Sequence, residues 1–142
     1  MKRGCCSMQT DKGGNPYITN IEQMTTQNPN FRTAIWTGCY LQMTVMCIPP
    51  CGEIGAEMHA DTDQLIRIEH GKALVKMGNC RNQLDFKQNL CKGDAVFIPA
   101  GTWHNIMNVS MHPLKVSSVY APPNHPKGTV HRTRADAEKK KY

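Results

Sequence analysis

The stretch that decides the fold is residues 93–108, GDAVFIPAGTWHNIMN. An apolar run of strand length ends at Ile98, and Pro99 and Gly101 then supply the fixed and the permissive backbone angles of a tight turn. His104 opens the run that follows. The stretch therefore predicts a strand, a tight turn and a second strand that presents one imidazole.

A second stretch, CGEIGAEMHADTDQLIRIEHG at residues 51–71, carries three further metal-capable side chains. Glu57 and His59 are two residues apart, which puts both on one face of a strand. After a polar turn, an antiparallel return brings Gln64 back towards that face. Together with His104 these residues predict a site with four mixed nitrogen and oxygen ligands. Such a set suits Zn, Fe, Mn, Ni or Co in the divalent state.

The rest of the chain repeats the pattern of short strands separated by turns. Apolar or alternating runs of strand length, bounded by Gly, Pro, Asn and Asp, occur at residues 31–36, 40–48, 64–70, 73–77, 83–86, 95–98, 104–109 and 114–120. None carries a sustained helical stripe. Six to nine short strands at this spacing predict an all-β fold, an antiparallel sandwich or barrel.

The length of 142 residues predicts one domain. Residues 1–16 are rich in Gly and poor in apolar side chains, so we expect a flexible lead-in, followed by a barrel over 17–122. Residues 123–142 are expected to leave the sheet. Thr133, followed three residues later by Asp136, predicts the start of a short C-terminal helix, after which the chain ends in a basic tail.

Charge and cysteine usage narrow the classes of function. The net charge of +6 comes entirely from residues 1–12 and 127–142, which leaves the intervening chain neutral and argues against a nucleic-acid partner. No apolar run of signal-peptide or membrane-spanning length is found, so we expect no membrane association. Seven cysteines, an odd number without C-x2-C pairs, predict reduced thiols and a cytoplasmic protein.

These residues resemble the cupin family. The stretch at 93–108 fits the second cupin motif, Gly-x5-Pro-x-Gly-x2-His-x3-Asn, at every defined position. The usual first motif, His-x-His-x4-Glu-x6-Gly, reads here as Glu57-x-His59-x4-Gln64-x6-Gly71, with the spacing intact and two ligand types changed. The resemblance covers roughly residues 30–122.

The resemblance implies a jelly-roll β-barrel of six to eight strands with a metal held inside. Cupins serve many chemistries, so fold alone does not choose among them. Two His, one Glu and one Gln is also the ligand inventory of phosphomannose isomerases, in a different order. We therefore expect a metal-dependent cupin that acts on a small polar substrate, as in sugar or sugar-phosphate isomerisation. The alternatives are a metal-dependent dioxygenase and a non-catalytic cupin that binds a small molecule.

Several further residues are left open by the sequence. His125 and His131 flank a segment that either folds over the barrel mouth or packs on a neighbouring subunit. Arg67, Glu69 and Tyr120 are further ionisable groups of the strands, although parity with Gln64 points the first two away from the site. No catalytic residue is assigned. We expect a homodimer, with residues 17–36 supplying an edge strand that pairs across a two-fold axis.

Overall fold

The chain forms two antiparallel sheets that face each other, in a computed structural model that describes residues 10–139. The elements in chain order are α1 (Ile21–Thr26), β1 (Arg32–Thr37), β2 (Gln42–Ile48), β3 (Asp63–His70), β4 (Ala73–Gly78), β5 (Phe86–Leu90), β6 (Ala95–Ile98), β7 (Trp103–Asn108), β8 (Leu114–Ala121), β9 (Val130–His131) and α2 (Arg134–Lys139). The prediction of an all-β jelly-roll barrel is confirmed.

The larger sheet has the order β6-β3-β8-β2-β1-β9, and the smaller has the order β5-β4-β7. The core lies between them, because alternate side chains of each strand point inwards and remove their apolar surface from water. Ile66 and Val116 come from the larger sheet and Val75 and Ile106 from the smaller, and all four are almost fully buried. This alternation fixes which side chains face the barrel interior.

The central strands of the larger sheet place Gln64 on that interior. β3 pairs with both β6 and β8, and Gln64 lies opposite Ile98 on one side and Tyr120 on the other. All three side chains are buried. Because directly paired residues share a face of a sheet, Gln64 and Tyr120 point into the barrel together.

The predicted strand at residues 83–86 is wrong in position. The structure forms β5 at Phe86–Leu90, while Cys80 and Gln83 close a turn before it. Only Leu90 of β5 is buried, so this strand lacks the apolar alternation by which a strand is recognised in a sequence. Its position is set by the backbone hydrogen bonds of its antiparallel pairing with β4.

The expectation that the chain leaves the sheet after residue 122 is also wrong. Val130 and His131 form β9, which pairs with β1. β1 therefore has a neighbour on each side, β2 and β9, and β9 covers Arg32 and Thr33 of its edge. The predicted C-terminal helix is confirmed as α2. Its capping box joins the Asp136 N–H to Thr133 Oγ1 at 3.2 Å and the Thr133 N–H to Asp136 Oδ2 at 3.3 Å.

The described part of the predicted lead-in is bound to β1. The Lys12 N–H donates to the Ile35 carbonyl at 2.8 Å, and Trp36 Nε1 donates to the Asn15 carbonyl at 2.7 Å. Asp11 accepts from the Thr37 hydroxyl at 2.6 Å. Residues 11–15 therefore pack on the barrel, while residues 1–9 and 140–142 of the predicted termini lie outside the described residues.

α1 was not predicted. It begins after Asn20, whose side chain accepts from the Gln23 N–H at 2.8 Å. With six residues it is too short to show a helical stripe in the sequence. No helix within residues 10–139 is long and apolar enough to cross a membrane.

Candidate metal centre

Backbone hydrogen bonds join the two sequence stretches into one unit. The Glu57 N–H donates to the His104 carbonyl and the His104 N–H donates to the Glu57 carbonyl, both at 2.9 Å. The Gly101 N–H donates to the His59 carbonyl at 2.8 Å, from a turn in which Gly101 has a φ of 84° that favours glycine. The two motif stretches therefore lie side by side as extended segments that are hydrogen-bonded to each other.

Three of the four predicted ligands come together at this junction. Glu57, His59 and His104 each offer a ligand atom, and these atoms all lie within 4.8 Å of one another. The Nε2 atoms of His104 and His59 are 3.4 Å and 3.6 Å from Glu57 Oε2. These distances are too long for good hydrogen bonds and are compatible with ligand atoms that surround a common centre.

The His104 imidazole is held so that its Nε2 points at the group. His104 is fully buried, and its Nδ1 lies 2.9 Å from the Thr102 carbonyl oxygen, which can only accept. Nδ1 must therefore carry the proton, and Nε2 presents a lone pair. His104 Nε2 and His59 Nε2 are both buried without a hydrogen-bond partner. An unsatisfied buried polar atom is costly, and an imidazole that carries its proton on Nδ1 offers a lone pair from Nε2. The two nitrogens therefore fit a cation placed between them.

The carboxylate of the group stays ionised. Burial raises the pKa of Glu57, but the neighbouring imidazoles of His104 and His59 outweigh burial and hold that pKa well below its ordinary value. The Glu57 side chain retains 27% exposure, whereas His59 retains 11%. The group is therefore a buried pair of imidazoles with a charged carboxylate at its open side.

Gln64 reaches the same interior from the opposite sheet. Its Nε2 donates to Ser118 Oγ at 2.8 Å, which leaves the amide oxygen Oε1 buried without a partner. Tyr120, directly opposite Gln64 in the register, places its ring edge-on to that of His59, with centroids 5.7 Å apart. Gln64 thus has a free acceptor on the inner face beside this group, and its role as a ligand stays a prediction.

A cavity of about 440 Å³ opens beside Glu57 and His59. Its wall includes His125 and His131, so the segment between β8 and α2 folds over the barrel of its own chain. Gln42 holds this segment down, because its amide donates to the His125 carbonyl at 2.8 Å and accepts from the His125 N–H at 2.9 Å. The segment therefore lies over the barrel of its own chain, and packing on a neighbouring subunit stays a prediction.

Tyr120 and His125 form a pair beside the metal-capable group, in which His125 lines the cavity and Tyr120 is buried. His125 Nε2 lies 3.3 Å from the Tyr120 hydroxyl oxygen. Burial, together with the positive charge of Arg32, lowers the pKa of His125 to about 3. Burial raises the pKa of Tyr120. At neutral pH the pair therefore consists of a neutral imidazole and a neutral phenol.

The other ionisable strand residues point away from the site, as their parity predicts. Glu69 is buried, but it accepts from Ser117 Oγ at 2.8 Å, whereas Gln64 donates to the adjacent and oppositely directed Ser118. Arg67 is half-exposed and lies 3.6 Å from Glu69. Neither belongs to the group around His104.

The sequence carries no signal for the cavity residue Arg32, and it leaves the role of the second cavity residue, His131, open. Arg32 lies in a buried strand after Phe31, where an isolated basic residue gives no motif. It meets His131 only because β9 pairs with β1, across 99 positions of the chain. Only the tertiary structure reveals this pairing.

These features define a cupin. The chain matches the cupin domain family over residues 44–120 and belongs to that family. It is 50% identical over 127 residues to the uncharacterized protein YrkC of Bacillus subtilis, covering 89% of this chain and 68% of YrkC. It is 39% identical over 115 residues to the uncharacterized protein L612 of Acanthamoeba polyphaga mimivirus, covering 80% of this chain and 70% of L612.

A solved structure agrees closely with this fold. BH2720 from Bacillus halodurans superposes with a TM-score of 0.91 at 47% sequence identity, covering 92% of this chain and 99% of BH2720. The relative is therefore similar over the barrel and also over the segments that close it. Function has to be argued from the site, because a shared fold does not determine it.

Proposed function

We propose that this cupin holds one divalent transition metal through Glu57, His59, Gln64 and His104 and acts on a small polar substrate. The proposed reaction is a proton transfer of the kind that isomerises sugars or sugar phosphates. The supporting observation is that three buried acceptor atoms, on His59, Gln64 and His104, lack hydrogen-bond partners around an ionised Glu57. One cation would satisfy all of them.

The chain supplies a proton-transfer pair beside these ligands. When bound, the ion provides Lewis-acid polarisation of a carbonyl or hydroxyl oxygen. With a pKa of about 3 the His125 imidazole is neutral but a weak base, so its part is to orient the Tyr120 hydroxyl 3.3 Å away, which is able to donate a proton. His104 keeps its orientation through its bond to the Thr102 carbonyl. The pair gives the reaction a proton donor that is not itself a ligand.

The metal is tested first, by elemental analysis of protein purified without an oligohistidine tag. We expect about one equivalent of a single transition metal in the wild type and none in the double variant Glu57→Ala/His104→Ala. A matched control is Asp85→Ala/His112→Ala, which removes one carboxylate and one imidazole from exposed positions and should keep the metal. At a metal concentration about a thousandfold above its Kd, the wild type should gain about 4 kcal/mol of stability.

Absence of metal from the wild type, even after soaking, would overturn the site and favour a non-catalytic binding protein. Activity is tested with a panel of aldose and ketose phosphates on the metal-loaded enzyme. Tyr120→Phe should lower kcat by about a hundredfold while the metal content stays unchanged. No product and no thermal protection from any member of the panel would refute isomerisation. Oxygen uptake with a flavonol or dicarbonyl compound, seen with iron but not with zinc, would assign the dioxygenase instead.

A further inference from the structure

A buried arginine without a counter-ion lines the cavity. Arg32 is only 5% exposed, and none of the ion pairs within residues 10–139 includes it. Its Nε is buried without a hydrogen-bond partner. Its Nη2 lies 4.0 Å from the sulfur of Met46, and its Cζ lies 5.4 Å from the centre of the Phe31 ring. A guanidinium in this position carries a full charge that the protein does not balance.

The one strong contact of Arg32 does not neutralise it. Nη1 lies 3.1 Å from His131 Nδ1, and because a guanidinium can only donate, this nitrogen of His131 accepts. An imidazole that accepts through Nδ1 is the neutral form. His131 therefore orients Arg32 from within the sheet and leaves its charge uncompensated.

The remaining charges of the cavity wall do not balance Arg32 either. Glu57 is more than 4.0 Å away and belongs to the candidate metal centre, where its charge is directed at the two imidazoles. Glu138 lies 3.2 Å from Arg134, with which it forms an i,i+4 pair at the rim. Arg81 adds a third guanidinium to the wall. The cavity wall therefore holds three guanidinium groups and two carboxylates.

We propose that Arg32 is the oxyanion-binding residue of this cavity and that the ligand is a small carboxylate or phosphate ester. The planar guanidinium donates two parallel hydrogen bonds to either group, and this geometry is the one in which a buried arginine is most strongly stabilised. His131 is the positioning residue that holds Arg32. The orientation of the ligand, with its uncharged end towards Glu57 and His59, rests on the proposed function. The oxyanion contact itself does not.

The test is calorimetric titration of the whole protein with inorganic phosphate, with glycolate and with malonate, against sodium chloride at matched ionic strength and against neutral glycerol. We expect one of the oxyanions to bind saturably with one site per chain. Binding of phosphate would identify the ligand as a phosphate ester, and binding of glycolate or malonate would identify it as a carboxylate. Arg32→Met should weaken that binding by about 30-fold or more. Arg132→Gln removes an exposed arginine outside the cavity wall and should leave binding within about twofold.

Thermal unfolding without any anion separates ligand binding from a structural role. Because Arg32 has no counter-ion, Arg32→Met should melt at the same temperature as the wild type or above it. Arg32→Lys keeps the charge but loses the planar fork, so it should fold and bind the oxyanion more weakly. A melting temperature well below that of the wild type for Arg32→Met, or a failure of that variant to fold, would make Arg32 structural. Absence of saturable binding to the wild type would overturn the proposal without any variant.

The same titrations on chelator-treated protein keep this proposal apart from the proposed function. Oxyanion binding that survives removal of the metal supports Arg32 as the oxyanion-binding residue. The metal centre is then decided separately by elemental analysis. Metal in stoichiometric amount, with no oxyanion bound, overturns the oxyanion site and leaves the metal centre intact.

Discussion

Replacement of Asn108 by alanine should destabilise the protein strongly and leave its metal content unchanged. Asn108 is the last defined residue of the second cupin motif, yet its side chain is not part of the group around His104. Its Nδ2 lies 3.0 Å from the Ile48 carbonyl, 3.1 Å from the Pro49 carbonyl and 2.8 Å from the His112 carbonyl. Asn108 thereby ties together two loops at one end of the barrel, and its side chain is buried.

The magnitude follows from this geometry. The amide has two protons, so the Asn108→Ala variant loses two donated hydrogen bonds at about 1 kcal/mol each. It also loses the two bonds that Asn108 Oδ1 accepts from the N–H and the hydroxyl of the part-buried Ser110, at 2.9 Å and 3.0 Å, where water can take over. A buried carbonyl left without a donor adds about 1 kcal/mol. The total of about 3 kcal/mol corresponds to a fall of roughly 10 °C in Tm for a chain of this size. Asn89, an exposed residue of β5, is the matched control, and Asn89→Ala should change stability by less than about 0.5 kcal/mol.

The assay is urea unfolding followed by fluorescence, with elemental analysis of each variant. A loss of under about 1 kcal/mol for Asn108→Ala would refute the reasoning, because it would mean that water replaces the amide. Loss of the metal at unchanged stability would refute it as well, and would return Asn108 to the site.

Two further predictions concern the surface of the barrel. Asp11 accepts from the Thr37 hydroxyl and from two backbone N–H groups. Burial raises the pKa of Asp11, but these hydrogen bonds outweigh burial and hold that pKa below its ordinary value of 3.8. Asp11→Ala should therefore reduce Tm at pH 7. In thermal melts the difference in Tm from the wild type should shrink as the pH falls below 3.8, because a carboxylate with a lowered pKa stabilises the fold only while it is ionised. A difference in Tm that is independent of pH would contradict this. Phe97 is 75% exposed on the outer face of the larger sheet, and the strand register places it in one row with Leu65 and Val119. We expect this apolar face to form the contact of a homodimer. Light scattering should give twice the chain mass for the wild type and the chain mass for Phe97→Lys, whereas a monomeric wild type at micromolar concentration would contradict dimerisation.

Much of the site was predictable because its residues follow turns that only a few residue types can make. Pro99 and Gly101 set the turn before His104, and the two-residue spacing of Glu57 and His59 sets their shared face whatever the rest of the chain does. These constraints are local, and so the sequence reveals them. The strand and turn pattern revealed the all-β class for the same reason.

Other features depend on contacts between distant parts of the chain. β5 has an almost wholly exposed surface, so no apolar alternation marks it, and its pairing with β4 decides its position. β9 is only two residues long and exists because β1 offers it an open edge. The binding of residues 11–15 to β1 likewise has no local signal.

The sequence by itself therefore determined the strand class, the two motif segments and the shared face of Glu57 and His59. The tertiary structure alone decided that Tyr120 and His125 meet beside His59 and that Arg32 meets His131 in the cavity wall. The physical reason is range. Backbone angles and side-chain alternation act over a few residues, whereas the composition of a cavity depends on strand register and on which segments the hydrophobic core draws together.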